Sequence, residues 1–91
     1  MSRPDRVLAV ELGARIRELR VDAEMTQDEL AERVASDREI IGRLERGLHL
    51  PTWRTLAEIA IGLDIDLATL LAGIDWERID RMFKETLRSS R

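Results

Sequence analysis

The sequence has no cysteine and no tyrosine, one phenylalanine, two tryptophans and one histidine. Without cysteine there is neither a disulfide framework nor a thiolate metal site. A lone His49 cannot supply a zinc site or a catalytic dyad. No apolar run reaches the roughly 20 residues that cross a bilayer, and the opening MSRPDRV lacks the apolar stretch of a signal peptide. Nor is there a nucleophile–base pair or a phosphate loop. These absences point to a cytoplasmic, non-enzymatic protein with no cofactor, no metal and no membrane partner.

What is present is charge and aliphatic carbon. At 91 residues, 44% hydrophobic and 36% charged, the chain reads as a single domain over 1–91 with one modest core. A net charge of −3 argues mildly against a polyanionic partner. The distribution argues otherwise locally. Residues 33–54 carry Arg33, Arg38, Arg43, Arg46 and Arg54 against Asp37, Glu39 and Glu45, whereas acid gathers in 18–32 and 58–80. A phosphate at contact distance responds to the local field.

Helical periodicity dominates, and no window alternates like a strand. Leu8, Leu12, Ile16 and Leu19 place a first helix at about 5–22. Thr26 and Glu29 form a capping box, each satisfying a free donor at the start of a second helix that runs to about Val34. Asp37 can cap a third, which Gly47 ends. After Pro51, Thr52 can cap a fourth carrying Leu56, Ile59, Ala60 and Leu63, with Trp53 as an apolar lid. Asp66 can cap a short fifth, and Asp75 a sixth over 76–88. The expected architecture is all-α: a compact five-helix bundle plus a C-terminal amphipathic helix.

On a wheel of about 100° per residue, Arg38, Glu39, Gly42, Arg43 and Arg46 share one side of the third helix; Ile40, Ile41 and Leu44 share the other, expected to be buried. Guanidinium forks fit guanine O6/N7 and phosphates, and a glutamate can accept from cytosine N4. Gly42 would let a bulky partner approach the helix axis. The turn before this helix is so short that the second and third helices must cross steeply, and Ala31 is small enough to allow it. This is a helix-turn-helix arrangement.

The pattern resembles the phage-repressor/Cro-like (Xre-type) DNA-binding family. Thr26, Gln27, Leu30 and Ala31 match its Thr-Gln-x-x-Leu-Ala opening; Ile41, Leu44, Glu45 and Gly47 match its Ile-x-x-Leu-Glu-x-Gly segment. Pro51, Thr52, Thr55, Leu56, Ile59, Ala60 and Leu63 match a later stretch, so that the resemblance covers a helix-turn-helix core at about 8–72. The Asp37-Arg38 start of the third helix is also similar to that of restriction–modification controller proteins. The resemblance implies that Arg38, Glu39 and Arg43 read bases, and that Gln27, Arg46 and His49 meet the DNA backbone. It further implies a buried salt bridge between Arg20 and Glu45. Three positions depart from the family's pattern. Ala35 replaces the usual turn glycine, implying either a turn without a left-handed residue or a strained one. Ser36 replaces a common apolar plug, and Asp64 a helix-ending glycine.

The last segment, 74–91, carries Trp76, Ile79, Met82, Phe83 and Leu87 as one apolar stripe, with charge opposite. Val7, Val10, Ala14 and Val21 form a weaker second stripe on the first helix. The last helix therefore folds back on its own first helix, forms a two-fold dimer interface, or does both; the dimer is the preferred reading, since regulators of this kind read palindromes as dimers. The function expected is a sequence-specific double-stranded DNA-binding transcription regulator, a repressor acting as a homodimer on a palindromic operator. The alternative is a protein-interaction module or antitoxin of the same fold that binds a partner protein.

Overall fold

Among the described residues, six side chains set six helix starts. Ser2, Thr26, Asp37, Thr52, Asp66 and Asp75 each accept a hydrogen bond from the backbone N–H three residues on, satisfying donors that the first turn leaves free. The resulting elements are α1 (Arg3–Asp22), α2 (Gln27–Arg33), α3 (Arg38–Glu45), α4 (Trp53–Gly62), α5 (Leu67–Leu71) and α6 (Trp76–Ser89). They belong to a computed structural model that describes residues 1–90; the final residue of the expected C-terminal segment lies outside the described residues. Among the described residues there is no strand, and the fold is all-α.

Four helices end alike. Glu24, Ala35, Gly47 and Asp64 have φ of 55°, 51°, 69° and 58°. The N–H of the residue after each returns to a carbonyl five positions back: Met25 to Arg20, Ser36 to Ala31, Leu48 to Arg43 and Ile65 to Ala60. This closure needs a left-handed residue. Ala35 adopts one, so of the two turns its side chain allowed, the strained one forms. A left-handed L-residue costs about 1–2 kcal/mol, which the buried α2–α3 junction around Leu30, Ala31 and Ile41 offsets.

α1 packs against α3, α5 and α6. Its closest approach to α3 is at Gly13, where an added Cβ would lie 2.8 Å from the carbonyl oxygen of Glu45 and closer still to that of Leu44. Against α5 it uses Arg15, whose Nε donates to the Leu70 carbonyl at 3.0 Å and whose Nη2 donates to that of Thr69 at 2.8 Å. The core gathers Leu12, Ile16, Met25, Leu30, Ile41, Leu44, Leu56, Ile59 and Leu70 around these contacts.

Four sequence expectations change here. Trp53 is no lid: it is 67% exposed, because the core-facing residues of α4 are Leu56, Ile59, Ala60 and Leu63 and the wheel sets Trp53 about 70° from their centre. Ile40 is exposed beside Ile41 for the same reason. The last helix folds back on α1, and Ile79, expected at a dimer surface, is 3% exposed within its own chain. Val10 and Val21 of the second α1 stripe stay in solvent.

Candidate nucleic-acid interface

The outward side of α3 is built by what its inward side buries. Ile41, Leu44 and Glu45 are held in the core, and the 3.6-residue period then turns Arg38, Glu39 and Arg43 outward, where all three are exposed. Arg43 Nη2 lies 3.3 Å from Glu39 Oε1, and Arg38 Nη1 lies 4.0 Å from Asp28 Oδ2 at the start of α2. Both pairs stand in water, where such contacts contribute little and separate readily. The side chains are therefore paired with each other yet free to leave. Arg46 and His49, just beyond the helix, are exposed as well.

Gly42 has a different use from the one its position suggested. It is buried, and a Cβ there would sit 3.3 Å from Arg46 Nη1 and 3.8 Å from Gln27 Oε1. The space beside it is taken by the protein's own side chains. Gln27 is placed by the same packing: its Nε2 donates to Glu45 Oε1 at 3.1 Å, so the start of α2 is tied to the end of α3.

Glu45 is the hub of that tie. It accepts from Arg20 Nε at 2.7 Å through Oε2 and from Arg20 Nη2 at 3.0 Å through Oε1, while Arg20 Nη1 donates to the Met25 carbonyl at 2.7 Å. Both side chains are buried. The hydrogen bond to Glu45 holds the Arg20 guanidinium above its already high ordinary pKa, against the opposing effect of burial. A bidentate pair with its remaining polar atoms satisfied is the form in which a buried ion pair is tolerable. Through it the ends of α1 and α3 and the start of α2 are one rigid corner, and the exposed arginines are mounted on that corner.

A helix-turn-helix family model, described as a helix-turn-helix domain, matches residues 11–72. The chain belongs to that family. A control-region protein of 10 kDa from the ImmF region of Bacillus phage phi105 is 36% identical over 59 residues, which are 65% of this chain and 66%, just under two thirds, of that protein. Among solved structures, the restriction-modification controller protein C.AhdI of Aeromonas hydrophila is 34% identical with a TM-score of 0.65, covering 68% of this chain and 94% of that one. The clp gene regulator ClgR of Corynebacterium glutamicum is 27% identical with a TM-score of 0.74, covering 94% and 92%. These similarities make the chain an Xre-like, DNA-binding helix-turn-helix transcription regulator by family, a family of regulators and not of enzymes. Among the described residues no helix is long and apolar enough to cross a membrane.

Two residues that position this surface escaped the sequence reading. Gly13 sits in a helix interior, where glycine costs about 1 kcal/mol relative to alanine; that penalty was the available signal that backbones meet there. Arg15 gave none, since an arginine at the edge of an apolar stripe is ordinary on any surface helix. Its guanidinium occupies the space beside Gly73, where a Cβ would lie 2.6 Å from Nε.

Proposed function

We propose that this chain is a sequence-specific regulator, a cytoplasmic repressor that occupies a palindromic operator as a homodimer with one α3 in each major groove. Arg38, Glu39 and Arg43 read base edges in this proposal; Gln27, Arg46 and His49 contact the backbone. The observation that carries the reading is the exposure of Arg38, Glu39 and Arg43 on a helix whose opposite side is locked into the core. Two exposed arginines on one helix, free of internal packing, suit bidentate guanine contacts. Dimerisation is assigned to the far end of α6, where Leu87 is 65% exposed and Phe83 is half-buried.

Selection of bound duplexes from a random pool tests this directly. A palindromic consensus is the expected result. Arg38→Ala and Arg43→Ala should each weaken cognate binding by about 1–3 kcal/mol and relax preference at one base pair. Wild-type discrimination in either variant removes that residue from the reading set.

The alternative, a protein-interaction module or antitoxin, draws on one observation: Asp28 and Glu39 already face the two arginines in the free chain. Salt separates the two readings. Phosphate contacts give duplex binding that falls steeply with ionic strength, whereas no binding at about 50 mM salt favours a protein partner.

A further inference from the structure

Trp53 and Trp76 flank an apolar cleft of about 420 Å³ on a part of the surface that the DNA reading does not use. Leu8 and Leu12 of α1, Leu56 of α4 and Leu71 of α5 line it. The loop segment Leu50–Thr52 completes it. In a chain that is 36% charged, no charged side chain among the described residues lines this cleft. Its one hydroxyl is occupied: the Thr52 hydroxyl donates to Thr55 Oγ1 at 3.1 Å and accepts from the Thr55 N–H. Trp76 is occupied too, since its Nε1 donates to the Leu71 carbonyl at 2.9 Å. That bond fixes the indole while leaving the residue 42% exposed.

We infer that this cleft is an effector site for a small, uncharged aromatic molecule. The volume falls within the roughly 300–1,000 Å³ of small-molecule pockets. An uncharged ring is what a lining without a charged side chain selects, because a charge moved there would lose its water without replacement. Two indoles at the rim offer faces for offset or edge-on stacking. A partner helix is a poorer occupant: the volume matches about one turn of a helix 10 Å across, and groove-bound helices anchor through several turns. A second copy is poorer as well. The most exposed apolar residues away from the cleft, Ile61 and Leu87, are aliphatic side chains that would each fill only part of it.

The cleft's loop wall gives it a route to regulation. Leu50 follows His49 directly, and Thr52 caps α4. A ring held between Trp53 and Trp76 therefore bears on the segment that joins α3 to α4. The binding stands without the DNA reading; the coupling rests on it.

The test is titration of the full chain with N-phenyl-1-naphthylamine, an uncharged aromatic dye that brightens in apolar sites and accepts energy from tryptophan. Saturable one-to-one binding is expected, weakened about tenfold or more by Trp53→Ala and unchanged by Ile61→Ala, a substitution at an equally exposed apolar residue outside the cleft. No saturable binding, or equal loss in both variants, overturns the site. Failure of the dye together with a dimer that Trp53→Ala converts to monomer in sedimentation would also overturn it, since a second copy would then be the occupant. With cognate duplex, saturating dye should change affinity about fivefold or more in the wild type and not in Trp53→Ala; an unchanged affinity overturns the effector role. A chain that binds the dye but no duplex at all refutes the DNA reading and leaves the site standing.

Discussion

Glu39 and Arg43 lie one helical turn apart on the exposed side of α3, with Oε1 3.3 Å from Nη2. The carboxylate thus neutralises a base-reading candidate until a duplex arrives. Removing its charge while keeping its shape should strengthen binding to any sequence and blunt the choice between sequences. Glu39→Gln is expected to tighten scrambled-duplex binding a few-fold, by the usual scale of an exposed charge pair, and to raise cognate binding less. Fluorescence anisotropy on both duplexes at two salt concentrations reads this out; a variant with unchanged discrimination would leave Glu39 a bystander.

Glu45→Ala strands the Arg20 guanidinium in the interior and frees the Gln27 amide. Breaking a buried pair by removing one partner costs roughly 3–5 kcal/mol, a large share of what a domain of this size has. The circular-dichroism melt should shift down by roughly 15 °C or more, or disappear. A melting temperature within error of wild type would mean that the corner is held by something else.

Ala35→Gly should stabilise the chain, by about 0.5–1 kcal/mol, because it relieves a left-handed alanine and gives back part of the gain as unfolded-chain entropy. Asp64→Gly should act in the same direction. Urea midpoints at constant slope measure both, and a lower midpoint for Ala35→Gly would contradict the conformation described at that turn.

Gly13→Ala is expected to cost about 1–3 kcal/mol or more. The obstacle to the added methyl is the backbone of α3, at the carbonyls of Leu44 and Glu45, which cannot rotate aside as a side chain could. DNA affinity should fall with stability, since α3 must move to make room. A fully stable Gly13→Ala chain would show that the helices can separate freely.

Acid should loosen α5 first. Side-chain and backbone hydrogen bonds from Thr69 hold the Asp66 carboxyl below its ordinary value. A depressed carboxyl adds stability that is present above the ordinary carboxylate range, near pH 4, and is lost as pH falls through the folded value. Amide exchange in residues 67–72 should therefore rise on acidification, and Asp66→Asn should flatten that dependence.

Helix starts were legible in the sequence because capping is local: Thr26, Asp37, Thr52, Asp66 and Asp75 need only a neighbour three residues away. The family was legible through the joint spacing of Gln27, Leu30, Ile41 and Gly47. Exposure at the flanks of a helix was not. Trp53 and Ile40 are as apolar as their buried neighbours, and only the angle at which each helix settles decides which of them meets water. Gly42 looked like an opening toward a partner because its occupants, Arg46 and Gln27, come from beyond the helix and from another one. Arg15 was silent because its acceptors, the Leu70 and Thr69 carbonyls, are more than fifty positions away.

The placement of α1 has an effect on how the chain can be altered. It touches α3, the short α5 and the terminal α6, so it acts as an axle to which three separate spokes are pinned. Damage to one spoke can stay local, but a kink in the axle reaches all three at once, and a proline in the middle of residues 3–22 would disturb α3, α5 and α6 together.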